Sequence, residues 1–107
     1  MKRLLVATCL AALAAAAPAA AATPTYKGSV GPGFTIKLAK PTKAGKAKIV
    51  VADKSSSHNF HLTGPGVNKK TGVAFTGTVT WAVMLRKGAY TFRSDTHPSL
   101  RGTLNVS

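Results

Sequence analysis

The sequence predicts an all-β protein, an antiparallel Greek-key sandwich of about seven or eight short strands. Two observations carry this. Apolar residues alternate with polar ones over short runs, and helical spacing is hard to find. Clusters of Gly, Pro, Asn, Asp and Ser punctuate those runs at short intervals.

The chain has 107 residues, enough for one domain. Its opening reads as something other than that domain. Met1-Lys2-Arg3 is a short basic start, residues 4–17 are mostly Leu and Ala without a charge, and Pro18 and a string of alanines follow. A basic n-region, an apolar h-region and a small-residue cleavage zone in this order predict a signal peptide, residues 1–22, with cleavage after Ala22 or at one of several nearby alanines. The apolar part is short and Pro18 interrupts it, which disfavours a membrane anchor. The expected mature domain is residues 23–107, exported to a periplasmic, cell-envelope or extracellular location.

Along that domain, "GFTIKLAK" sets Phe34, Ile36 and Leu38 on one face against Thr35 and Lys37. "AKIVVAD" is a β-branched run. "HNFHL" sets His58, Phe60 and Leu62 against Asn59 and His61, which predicts a strand starting at His58. "VAFTGTVTWAVML" keeps Val79, Trp81, Val83 and Leu85 in phase, and "AYTFRS" does so for Tyr90, Phe92 and Ser94. "GTLNVS" closes the chain with Leu104 and Val106. Turns are expected at Gly31-Pro32-Gly33, 41–45, 53–57, Gly64-Pro65-Gly66, Lys87-Gly88 and His97-Pro98. The aromatics mostly share phase with apolar neighbours and read as core rather than as base-stacking platforms.

Composition excludes several chemistries. Lys and Arg total 15 against 2 acidic residues, a net charge of +13. Without Lys2 and Arg3 the balance is 13 against 2, or +11. Asp53 and Asp95 are the only carboxylates, too few for paired-carboxylate catalysis or an oxygen-rich calcium site. Cys9, the only cysteine, falls in the signal segment, so the mature domain has neither disulfide nor thiolate. Ser94, Asp95 and His97 do not make a hydrolytic trio, because adjacent residues at a strand end point apart and no oxyanion hole is visible. No catalytic residue is assigned and the protein is read as a non-enzyme.

The pieces "KIVVAD", "SHNFHLTGPGV", "FTGTVTWAVML" and "KGAYTFRSDTHPSLRGTLNV" together resemble a cupredoxin, the plastocyanin- and amicyanin-like blue-copper domain. The final loop is closest to the amicyanin type, Cys-x-x-His-Pro-x-Met before the last strand. The resemblance implies a cupredoxin-like sandwich, copper binding and electron transfer. It implies four ligand positions: His58 from the "HN" motif, then Ser94, His97 and Leu100 where the family carries Cys, His and Met. Two of the four donors are thus replaced. A blue site needs a strong thiolate and a weak axial sulfur. A serine hydroxyl is a poor ligand for Cu(I), and Leu100 offers no donor. The expectation is a degenerate site: weak Cu(II) binding by His58 and His97 with water, or Zn(II), without fast electron transfer. The alternative is a metal-free module in which both histidines are structural.

A positive charge of this size creates a field that an acidic protein, an anionic envelope polymer or a lipid surface would feel. It also serves solubility alone. Nucleic acid is not expected as a partner of an exported chain. No membrane span is expected after signal cleavage, and the domain is expected to be a monomer. The lysines over residues 37–48 are spaced rather than stacked, as on the wet face of an edge strand or hairpin.

Overall fold

A computed structural model describes residues 23–41 and 43–107. The expected signal segment, residues 1–22, lies outside the described residues. Eight strands form: β1 (Thr25–Val30), β2 (Ile36–Leu38), β3 (Gly45–Asp53), β4 (His61–Gly64), β5 (Val67–Lys70), β6 (Gly77–Leu85), β7 (Gly88–Arg93) and β8 (Arg101–Val106). They make two four-stranded sheets, ordered β2-β1-β3-β6 and β5-β4-β7-β8. No helix is present among the described residues, so none is long and apolar enough to cross a membrane.

The sandwich is as expected, with one departure in pairing. β1 runs parallel to β3, Tyr26 opposite Ile49 and Val30 opposite Asp53, while the other pairs are antiparallel. A parallel neighbour requires a crossover connection. Here the short antiparallel strand β2 and the segment after it provide it, and the sheet is therefore mixed rather than wholly antiparallel. "TYKGSV" and "VNKK" form β1 and β5, which the alternation did not single out.

Alternation determines which side chains meet. Ala47, Ile49 and Val51 of β3, Leu62 of β4, Tyr90 and Phe92 of β7, and Leu104 and Val106 of β8 are buried between the sheets. The Phe60 and Phe92 rings stack with centroids 5.7 Å apart and an interplanar angle of 4°. Trp81 packs against Phe60 from β6. The buried Tyr90 ring needs a partner for its hydroxyl. It accepts from the Arg86 amide at 2.8 Å, and the Pro65 and Arg86 carbonyls can accept its proton. This ties the β4–β5 turn to the β6–β7 turn. Gly102 stands opposite Phe92 in the register, and a Cβ there would overlap the Phe92 ring.

Three local expectations change. β4 starts at His61, so His58 sits in the preceding loop rather than at a strand start. Phe34 precedes β2 and is 57% exposed, and Phe75 precedes β6 and is also exposed. Neither belongs to the core. Lys46 and Lys48 lie on β3, an inner strand of its sheet, rather than on an edge.

Candidate functional site

The two histidines with family positions come together at one end of the sandwich, and the sequence shows how they are held there. β3 ends at Asp53, whose side chain continues the inward face of Ala47, Ile49 and Val51 and is 2% exposed. A buried carboxylate is costly unless hydrogen bonds surround it. The Ser55 amide donates to Oδ1 at 3.1 Å and the Thr71 hydroxyl to Oδ2 at 2.7 Å. The Thr71 oxygen in turn accepts from the Phe60 amide at 2.9 Å. Ser55 Oγ accepts from the amides of Ser57 and His58, both at 3.2 Å. The loop carrying His58 is thus wrapped around the end of β3.

Asn59 fastens this loop to the next one. It is buried, and its side-chain nitrogen donates to the Thr71 carbonyl at 3.1 Å and to Asp95 Oδ2 at 2.9 Å. Its oxygen accepts from the Asp95 amide at 2.7 Å. The Ser94 segment is thereby fixed beside His58. After β7, the Ser94 amide donates to the Leu100 carbonyl at 3.0 Å and the Leu100 amide to the His97 carbonyl at 2.8 Å, closing the loop on itself. Ser94 and Leu100 are both buried, while His97 is exposed.

His58, Ser94 and His97 come together at one spot, while the Leu100 side chain is part of the buried core. Nδ1 of His58 lies 3.1 Å from Ser94 Oγ. The His58 and His97 rings stand 4.8 Å apart between centroids, inclined at 70°. Phe34 meets both rings edge to face, at 5.6 Å and 5.7 Å. It arrives on the turn between β1 and β2. There Gly31 has a left-handed φ of 74° and packs so closely on Ser55 that a Cβ would sit 2.9 Å from the serine's own. The remaining neighbour is Thr96. Its Oγ1 lies 2.8 Å from the Ser57 carbonyl, 3.1 Å from Ser94 Oγ, 3.3 Å from His58 Nδ1 and 3.4 Å from His97 Nδ1.

Neither Phe34 nor Thr96 was evident from the sequence as part of the site. Phe34 shares phase with Ile36 and Leu38, which suggested core. Thr96 is a spacer in Ser-x-x-His-Pro, where any residue type fits the pattern.

The donor set does not fit a blue-copper ion. There is no thiolate, Leu100 has no lone pair to give, and a hydroxyl stands where the nitrogen donors converge. Among the described residues no group of three or more His, Cys, Asp or Glu side chains converges on a point. The expected absence of a hydrolytic trio also has a geometric basis. Ser94 approaches His58 rather than His97, and Asp95 turns to other partners.

Those partners are His61 and Asn59. His61 is on the face opposite Leu62, as its phase predicts. Its Nδ1 is 2.8 Å from Asp95 Oδ1 and its Nε2 is 2.7 Å from Asn68 Oδ1. Arg93 Nε is 3.4 Å from Asp95 Oδ1. Burial pushes the Asp95 carboxyl up, but hydrogen bonds from His61 and Asn59 and the charges of His61 and Arg93 outweigh it and hold it below the usual carboxylate range.

Two sheets with one parallel pair, and a His-bearing loop packed against a Ser-x-x-His-Pro loop before the last strand, define a cupredoxin fold. The solved structures agree. The chain is similar to rusticyanin, described as a copper protein, with a TM-score of 0.59 at 13% identity over 81% of this chain and 80% of that one. Rusticyanin from Thiobacillus ferrooxidans gives 0.58 at 13% identity, over 81% and 79%. A reduced Cu(I) form of an amicyanin variant gives 0.53 at 14% identity, over 85% and 88%. At these identities the likeness defines the fold alone. No protein-family model and no curated protein matches the sequence.

Proposed function

We propose that this protein is an exported cupredoxin-fold module that binds Cu(II) weakly through His58 and His97 and does not cycle it as a blue-copper protein does. One observation carries the reading: Nδ1 of both histidines faces a common polar spot bounded by Ser94, with no sulfur donor present. Two imidazoles with hydroxyl or water oxygens suit a divalent ion, and they do not hold Cu(I) and Cu(II) in one geometry. Export is supported by the n-, h- and cleavage-region pattern of residues 1–22. Titration with Cu(II), followed by electron paramagnetic resonance, tests the site. The wild type should give one specific signal that is lost in His58→Ala/His97→Ala. Indistinguishable spectra would sink the reading. The mass of the exported form should correspond to a chain starting at Thr23.

A second reading rests on a different surface, the outer face of the β2-β1-β3-β6 sheet. Exposed Lys37, Lys27, Lys48 and Lys46 all lie on it, among Thr25, Ser29, Val50, Ala52 and Thr80. Neither carboxylate is there: Asp53 points inward from β3 and Asp95 follows β7 in the other sheet. A face whose charged residues are all lysines suits an anionic envelope polymer as a metal-independent partner. Retention on a polyanionic resin should fall with salt, and fall further in Lys27→Gln/Lys46→Gln/Lys48→Gln. Equal retention of the two proteins would remove this face from consideration.

A further inference from the structure

We infer that the Thr96 hydroxyl is a built-in occupant of the point where the ligand positions converge, and that Cu(II) must displace it to bind. The inference concerns this chain's own residue. Only its copper arm rests on the two-histidine reading above.

The geometry is that of a hub. Thr96 Oγ1 is within 3.4 Å of four polar atoms: the Ser57 carbonyl oxygen, Ser94 Oγ, and Nδ1 of His58 and of His97. These come from the two loops that Asn59 fastens together. The shortest of the four contacts fixes the hydroxyl's orientation. A carbonyl can only accept, so the threonine proton goes to Ser57 at 2.8 Å. What remains is the oxygen's accepting capacity, two lone pairs for three neighbours, and Ser94 Oγ at 3.1 Å also competes for His58 Nδ1. An imidazole that hydrogen-bonds to it must therefore do so with a hydrogen on Nδ1.

That has a consequence for a metal ion. A nitrogen carrying its hydrogen has no lone pair to donate, so an imidazole bonded to Thr96 Oγ1 is held in its non-ligating form. Binding requires the ring proton to move to Nε2 or leave, and the hydroxyl to withdraw. Thr96 is exposed as a residue, which leaves its side chain room to rotate away. The cost is the loss of one or two net hydrogen bonds, about a tenfold weakening of binding. In the metal-free protein the same contacts join the His58 loop to the His97 loop, a role that a metal ion would otherwise fill.

The test uses the mature protein with Thr96→Ala, which removes the hub, and Thr96→Val, which removes the hydroxyl but keeps the bulk. Cu(II) affinity is measured by competition with glycine, with His58→Ala/His97→Ala as the baseline. Thr96→Ala should bind about tenfold more tightly than wild type, and Thr96→Val should gain as well, because it too has no hydroxyl to displace. Weaker binding by both variants overturns the inference, because the hydroxyl would then be a ligand. Equal affinity of wild type and Thr96→Ala overturns it too. If no protein binds above the baseline, the two-histidine function falls, and the metal-free arm decides the role of Thr96. There, imidazole nitrogen-15 spectra of the metal-free protein should show at least one of His58 and His97 shifting away from the Nδ1–H tautomer in Thr96→Ala. Unchanged ring resonances overturn the hub.

Discussion

Asn59→Ala should destabilise the protein more than any surface change in the chain. The side chain is 1% exposed and makes three hydrogen bonds that cross between loops. Truncation orphans the Thr71 carbonyl, the Asp95 amide and one Asp95 carboxylate oxygen. The Asp95 side chain is 30% exposed, so water re-satisfies its carboxylate. The two backbone groups are left with the larger cost. Each unsatisfied buried group costs about 1–3 kcal/mol, and partial access of water places the sum at about 2–4 kcal/mol. A domain of this size has about 5–15 kcal/mol in total. At about 4–8 °C per kcal/mol, the melting temperature should fall by at least about 10 °C. Urea unfolding of residues 23–107 without metal gives the number directly, with an unchanged m-value as the condition for reading it. Asn59→Asp separates hydrogen bonding from packing: it keeps the acceptor for the Asp95 amide but sets a second carboxylate against the first, and should be no better than alanine. A loss below about 1 kcal/mol for Asn59→Ala would show that the two loops are held by something other than this bridge.

Gly102→Ala forces a Cβ into the Phe92 ring, and overpacking of this kind should cost about 1–3 kcal/mol in the same urea assay. Ser94→Cys with Leu100→Met would introduce two sulfur donors at buried positions, the first of them beside His58. It should give an intense visible absorption with Cu(II), stronger when Thr96→Ala is added, and a colourless product would contradict the positional assignment. Acid should weaken the loop clamp through Asp95. Its folded pKa lies below the unfolded value of 3.8, so its contribution is fully present above that pH and is lost as pH falls through the lower folded value. Urea midpoints at descending pH should drop less steeply in Asp95→Asn than in wild type over that acid window.

The sandwich was legible because period-2 alternation and Gly/Pro turns are backbone-level signals, and Tyr90, Phe92, Leu104 and Val106 lie where their phase put them. The strands that escaped, "TYKGSV" and "VNKK", carry too few apolar residues to alternate. β1 buries Gly28 and Val30 and half-buries Tyr26, and β5 buries Val67 alone. Parallel pairing of β1 with β3 leaves no mark on either segment, since it is decided by where the chain returns. The meeting of His58, Ser94 and His97 came from resemblance, not from periodicity. Sequence spacing does not show that residues 36 and 39 positions apart touch, as Ser94 and Thr96 do with His58 and Ser57. The part of Thr96 was invisible for the same reason, and that of Phe34 because a turn residue was read in phase with the strand after it.

The scarcity of carboxylates and the construction of the site are one fact. Each acid is engaged at the same end of the sandwich. Asp53 organises the His58 loop from within, through Ser55 and Thr71. Asp95 takes Asn59, His61 and Arg93 on the loop side. With both engaged there, the outer face of the β2-β1-β3-β6 sheet is left with lysines alone. In a small domain without a disulfide, such a clamp is an alternative to a metal cross-link for holding a loop pair in place. A buried acid hydrogen-bonded to Ser55 and Thr71, and an asparagine bridge, give the site a frame that does not depend on an ion. The frame therefore holds without a metal ligand set, and it sets the His58 and His97 rings 4.8 Å apart beside Thr96.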